Sequence, residues 1–420
     1  MLLICLILAT LLGAADYLMN QDKIYRGVEV GSIPLGGKTP EEAQKILEER
    51  TAELKEIKLT GPEEFALSSE KLGVGFDIQE SVDQAYAVGR QGNILQRIYE
   101  RMEATWSTVD IQLSVNYGRE RLREGLSGVF DTLTVEPVEA GFEFNGNQVS
   151  VRPSREGKQV NQEKLLDNLE AGLLEGKHEY GVPIITVKPK LTTQEAEDIK
   201  PTTLIGSYRT DYTLSTDKSP ERVENLKIAS NAITGKLLAP GEVFSVNEVA
   251  SPLKYNETHV IIEGKEEKAD GGGLCQVSST LYNAANYAGL EIVERHPHDA
   301  QLPYIRPGLD ATVWFGALDM KFKNTTDGYI LLREYVSDDG YIYAEIWGQP
   351  TDKKVEMDSE PEYLGSDYSE WVTYQKVTDK NGKVIFDDVI HKDTYKPLID
   401  EHGETIPPNY PYLNIAPVIY

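Results

Sequence analysis

The sequence predicts a multidomain α+β protein: two small α+β modules, a mixed α+β domain and a strand-rich C-terminal segment. Three observations lead there. At 420 residues the chain is long enough for about three cores of ~150 residues each. Short extended runs alternate with well-capped helical segments along most of its length. A weak internal echo relates Gly75-Phe76-Asp77-Ile78-Gln79-Glu80-Ser81-Val82 to Gly157-Lys158-Gln159-Val160-Asn161-Gln162-Glu163-Lys164-Leu165, each an extended piece leading into a helix.

The first fifteen residues, Met1 to Ala15, form an apolar run that contains Cys5. The run is shorter than the ~20 residues of a spanning helix and no basic residue precedes it. It reads as a membrane anchor or export signal within residues 1–20, with its true start upstream of Met1. Cys5 lacks the small neighbour a lipidation site needs. Everything after residue 20 is then expected outside the cell.

Ile24 to Leu35 is extended, and Thr39 and Pro40 are a good N-cap and first-turn pair for a helix running to about Leu54. The two echoed helices end near Gly89 and Gly176, giving modules at about 21–110 and 111–200. Thr192 opens a linker helix that Pro201 closes. The next domain, 201–352, has a helix capped by Ser219-Pro220, with Val223, Leu226, Ala229 and Ile233 on one face and Gly235 as its stop. A turn at Pro240-Gly241 leads into a strand, and further strands are expected at Ala311 to Phe315 and Tyr329 to Tyr335, with a hairpin at Asp338-Asp339-Gly340. The remainder, 353–420, is β-rich. Asp379-Lys380-Asn381-Gly382 marks a hairpin there between Trp371 to Tyr374 and Val384 to Phe386.

A net charge of −26, from 68 acidic against 42 basic residues, argues against nucleic-acid binding. No HExxH helix, EF-hand loop or CxxC pair occurs, so neither a metal nor another cofactor is expected. The chemistry concentrates in Asp270-Gly271-Gly272-Gly273-Leu274-Cys275-Gln276-Val277-Ser278. Val277, Leu281, Ala284, Ala285 and Ala288 fall on one helical face with Gly289 as stop, placing Cys275 at a helix start. Free N–H groups and the positive end of the helix dipole favour a thiolate there. Downstream, Arg295-His296-Pro297-His298-Asp299 offers two imidazoles, and either could accept the thiol proton. The alternative is a small buried cysteine beside histidines that merely shape a loop.

Several ordered blocks resemble the VanW family. They are Gly206-Ser207-Tyr208, Asn225 and Asn231, Pro240-Gly241-Glu242-Val243-Phe244-Ser245, the glycine and cysteine run, Arg295-His296-Pro297-His298, Gly308-Leu309-Asp310-Ala311-Thr312-Val313, and Lys321-Phe322-Lys323-Asn324. The preceding segment is similar to peptidoglycan-binding modules, and the C-terminal segment to a wall-associated module named for five glycines. The resemblance implies a membrane-anchored, surface-facing protein of Gram-positive-type bacteria that works at peptidoglycan. It supplies no reaction.

Two functions remain in view. One is a cysteine enzyme acting on amide bonds of wall peptides, with Cys275 as nucleophile, His296 or His298 as base, Asp310 or Asp299 orienting the imidazole, and the N–H groups of Cys275 and Gln276 or the Gln276 amide holding the oxyanion. The other is a non-catalytic wall-binding or spacer protein whose glycine loop holds an anion of a stem peptide. Gly272, Gly273, Gln276, Ser278, Tyr208 and Arg209 are the candidate substrate contacts in either case.

Overall fold

The computed structural model describes residues 20–262, 265–399 and 403–406. The apolar run and Cys5 lie outside the described residues, among which no helix is long and apolar enough to cross a membrane. Helices and strands share the chain across several small sheets, an α+β architecture. Two compact units emerge: Met1–Val138 with Arg155–Lys190, and Glu139–Ser154 with Leu191–Tyr420.

In the first unit, helix Pro40–Glu53 starts as its sequence dictates. The Thr39 hydroxyl accepts from the Glu42 amide while the Glu42 carboxylate accepts from the Thr39 amide, a complete capping box. Its inward residues Ala43 and Leu47 join a core around Val28, Val30, Leu54, Val82 and Leu113. A second core lies between helices Arg119–Leu133 and Gln162–Leu174 and strand Glu56–Thr60, which pairs antiparallel with Phe65–Ser68 and parallel with Glu179–Gly181.

The second unit is built on a four-stranded sheet in the order Thr203–Asp211, Tyr341–Gly348, Ile330–Val336, Leu237–Leu238. Two helices, Pro220–Ile233 and Leu274–Tyr287, pack on this sheet and on each other. Ser219 caps the first, and Gly235 ends it at a φ of +84°, where a side chain would be strained. The second is the cysteine helix. Every residue in it except Cys275 and Tyr287 is buried, although it contains serine, threonine and asparagine. Several of those polar side chains are tied to backbone: Thr280 donates to the Gln276 carbonyl (2.7 Å) and Asn286 to the Tyr282 carbonyl (3.0 Å). Three long strands, Lys354–Leu364, Ser369–Thr378 and Val384–Tyr395, form an antiparallel sheet with its hairpin turn at Asp379–Gly382.

The expected strand at residues 311–315 is absent, and the segment is a loop that ends in an isolated bridge between Trp314 and Leu318. Its backbone groups are engaged elsewhere: the Ala311 amide donates to the Ser279 hydroxyl (2.9 Å) and the Thr312 amide to the His296 carbonyl (2.8 Å). No neighbouring strand is left to satisfy.

Glu334 is fully buried in strand Ile330–Val336, and neither carboxylate oxygen has a partner among the described residues. Burial pushes its pKa well above the ordinary 4.5. The folded chain therefore keeps a proton that the unfolded chain releases, and stability declines as pH rises above about 4.5. Glu334→Gln is expected to stabilise this unit by about 1–3 kcal/mol at pH 8 and to leave it unchanged at pH 4. Calorimetric melting at the two pH values checks this; an equal shift at both would refute the protonated carboxyl.

Candidate active site

The cysteine helix begins at Gly273, whose φ of +104° suits glycine, and Leu274 and Cys275 are its first two residues. Gly272 serves a different need. A Cβ there would collide with the Thr258 hydroxyl and the His259 carbonyl, so the glycine run lets strand Glu257–Ile262 press against the helix start. The Gln276 and Val277 amides both bond the Gly273 carbonyl, whereas the Cys275 amide makes no backbone hydrogen bond among the described residues. It remains available to an anion.

Cys275 is partly exposed and borders a cavity of about 280 Å³. His298 lies behind it, buried. The His298 Nδ1 and backbone amide both meet Asp310 Oδ2 at 2.7 Å, which leaves the second ring nitrogen for the thiol. Asp310 is held from both sides, since the Asn283 amide donates to the Leu309 carbonyl (2.6 Å) and Ser279 receives the Ala311 amide. Arg295 adds two contacts, Nε to the Asp310 carbonyl (2.7 Å) and Nη2 to Oδ1 (3.0 Å). From the C-terminal sheet, the Tyr395 hydroxyl donates to Asp310 Oδ1 (2.6 Å) and accepts from the Gly308 amide (2.8 Å), while Asp393 pairs with Arg295 (2.6 Å).

The charges follow from these contacts. Burial would raise the Asp310 pKa, but Arg295 and then the His298 hydrogen bond hold it far below the usual carboxylate range. Burial would discharge His298, yet the Cys275 charge and the Asp310 hydrogen bond push it up to about 10. Burial likewise opposes the Cys275 thiolate; the His298 charge and hydrogen bond outweigh that and bring its pKa below the ordinary value. In its neutral form the thiol donates to the Val313 carbonyl at 3.6 Å. The pairing therefore favours thiolate and imidazolium over the neutral pair, with Asp310 ionised behind them.

The remaining candidates divide. Gly272 and Gly273 line the cavity. His296 is exposed on 38% of its side chain and pairs with Glu294 (3.1 Å), and Asp299 is exposed. Gln276 is fully buried, accepting from Arg222 (2.8 Å) and donating to Thr210 (3.1 Å), so its amide is occupied. Ser278 is buried with its hydroxyl unpartnered among the described residues. Tyr208 stacks on Tyr287 in the core, and the Arg209 guanidinium sits 4.6 Å from the Tyr341 ring centroid; neither lines the cavity.

Other wall residues carried no functional expectation. Arg222 is only 4% exposed and no carboxylate pairs with it among the described residues. Its one sequence signal is its place on the buried stripe of its helix, with Asn225, Leu226 and Ala229. The Thr312 hydroxyl also borders the cavity and is buried without a partner among the described residues. Trp314 and Phe315, 48% and 37% exposed, supply an apolar rim. An unpaired buried cation, a free helix-start amide and an aromatic lip suit a peptide bearing a carboxylate. Among the described residues no group of His, Cys, Asp or Glu could hold a metal ion.

Residues 221–347 match the family described as "VanW like protein", and residues 65–180 match "Putative peptidoglycan binding domain". A Bacillus subtilis (strain 168) protein, "Uncharacterized protein YoaR", is 35% identical over 203 residues, 47% of this chain and 65% of that protein. "Vancomycin B-type resistance protein VanW" of Enterococcus faecalis (strain ATCC 700802 / V583) is 33% identical over 116 residues, 25% of this chain and 42% of that protein. The chain thus spans less than two thirds of either relative. No solved structure matches. The cysteine site therefore lies within a VanW-like domain, in a chain that also carries a peptidoglycan-binding type of domain.

Proposed function

We propose that this is a cell-wall protein that engages peptidoglycan and performs cysteine-dependent acyl transfer or amide hydrolysis on wall peptides. The Cys275, His298 and Asp310 constellation carries this reading, and the peptidoglycan-binding type of domain supports the substrate class. The Cys275 thiolate attacks an amide carbonyl, and the oxyanion meets the Cys275 amide. The C–N bond breaks, the departing amine takes the proton of His298, and a thioester remains. Water or an acceptor amine then attacks, giving its proton back to His298 and freeing the thiolate. We read the N-terminal apolar run as a membrane anchor with the remainder extracellular, and the last segment as a wall-associated module.

One observation favours a second reading, a non-catalytic binding protein: Arg222 and the free Cys275 amide could hold a carboxylate with no bond broken. Intact-mass measurement after incubation with muropeptides separates the two. Acyl transfer expects an adduct on Cys275 that is lost in Cys275→Ser; muropeptide binding that survives Cys275→Ser with no adduct would leave binding as the function.

A further inference from the structure

Helix Ile94–Trp106 carries an apolar face that nothing among the described residues of its own unit covers. Ile94, Leu95, Ile98, Tyr99, Met102 and Trp106 are 73, 79, 49, 66, 58 and 85% exposed, while Ala104 is the helix's only buried residue. At about 100° per residue these six fall within a stripe of about 140°. Isolated exposed apolar residues are ordinary, but a continuous stripe of six marks a contact surface.

The partner is indicated by the sequence that precedes Asn20. Residues 1–19 are rich in leucine, isoleucine and alanine. Arg90 donates to the carbonyls of Asn20 (2.5 Å) and Lys23 (2.6 Å), and its guanidinium lies 4.9 Å from the Tyr25 ring centroid. Arg101, on the helix, lies 5.6 Å from the same ring and donates to the Gly89 carbonyl (2.8 Å), while Glu100 accepts from the Gly89 amide (2.7 Å). The exit of the apolar segment is thus stapled to the helix that bears the apolar stripe. Three arginines, Arg90, Arg97 and Arg101, gather there in a chain of net charge −26. Tryptophan and tyrosine settle at the headgroup level of a bilayer, and arginine faces its phosphates.

We propose that helix Ile94–Trp106 is a membrane-surface helix, lying on the bilayer that receives the N-terminal apolar segment, with its stripe in the headgroup and acyl boundary. This rests on the anchor reading above, and the test keeps the two apart. The full chain is reconstituted in phosphatidylcholine and phosphatidylglycerol vesicles with and without brominated acyl chains. Flotation reads the anchor; quenching of tryptophan emission by bromine reads the helix. The expectation is that the chain floats, that brominated lipid quenches part of its emission, and that this part vanishes in Trp106→Phe. Leu95→Glu with Met102→Glu should still float but lose the quenching. Flotation with no quenched component would overturn the surface helix alone, as it would if a second copy or the apolar segment itself covered the stripe. Failure to float would overturn both readings.

Discussion

Alanine in place of His298 is expected to remove the reactivity of Cys275 near neutral pH. With the imidazolium present the thiol ionises below its ordinary value; without it, only burial remains, and burial favours the neutral thiol. A thiol returned to a pKa of about 8.5 or higher is no more than about 1% ionised at pH 6.5. Alkylation by iodoacetamide should therefore slow at pH 6.5, by up to about 100-fold, and far less at pH 9.5. Acyl transfer should fall by about 10³-fold or more, since base and proton donor are lost together. His296→Ala serves as the control. Its ring pairs with Glu294 at the surface, and neither rate should change. An alkylation profile indifferent to His298 would dismiss the thiolate and imidazolium pair.

The same pair shapes stability against pH. His298 titrates at about 10 when folded, above its ordinary 6.5, so its contribution is complete below 6.5 and is lost as pH climbs towards 10. Cys275 behaves oppositely: its contribution is complete above its ordinary 9.0 and is lost as pH falls through its depressed folded value. Between about 6.5 and 9 the loss on the imidazole side is opposed by the gain on the thiol side, so the two slopes work against each other there. The pair's contribution should not grow across that range and should fall as pH climbs from 9 towards 10. In Cys275→Ala the contribution disappears, so the difference in melting temperature between it and the unaltered chain should be greatest across that window. A difference that kept growing from pH 6.5 to 9 would contradict the pairing.

Much of this was legible in the sequence wherever a local interaction decides the outcome. Thr39 with Pro40, Thr192, and Ser219 with Pro220 announce helix starts because the cap is made by the residue itself, and all three act as N-caps. The stops at Gly89, Gly176, Gly235 and Gly289 share φ near +70° to +84°. Cys275 at a helix start was legible for the same reason. Residues 311–315 were not, since an alternating apolar pattern suits a strand and an extended loop alike, and only the Ser279 and His296 partners decide. The choice between His296 and His298 is likewise one of burial, which two histidines flanking one proline do not reveal. Tyr395 lies 85 residues beyond Asp310, and no local pattern links them.

Asparagine at Asp310 is expected to be the most damaging change that leaves every reacting atom in place. The carboxylate accepts from the His298 ring and amide, from Arg295 and from Tyr395. An amide keeps the shape but offers one acceptor oxygen and no charge, so it cannot fix the His298 tautomer or balance the imidazolium; about 10³- to 10⁴-fold of the acyl-transfer rate should be lost. Arg295, 7% exposed on its side chain, would then keep Asp393 as its only carboxylate among the described residues, and leaving a buried cation undercompensated costs about 3–5 kcal/mol. Activity and melting should therefore both fall, and the rate must be measured well below the new midpoint. Tyr395→Phe isolates the positioning role. It removes one hydroxyl that donates to Asp310 Oδ1 and accepts from the Gly308 amide and from Arg295 Nη2 (3.3 Å), worth about 1–3 kcal/mol, while the Asp310, His298 and Arg295 side chains themselves stay in place. The rate should fall by about tenfold, and the alkylation profile of Cys275 should shift in the same direction as in Asp310→Asn but by less. A loss of melting temperature with an unchanged alkylation profile would make Tyr395 a structural strut. A shifted profile would show that the sheet Lys354–Tyr395, beyond the VanW-like match, helps set the charge of the thiol.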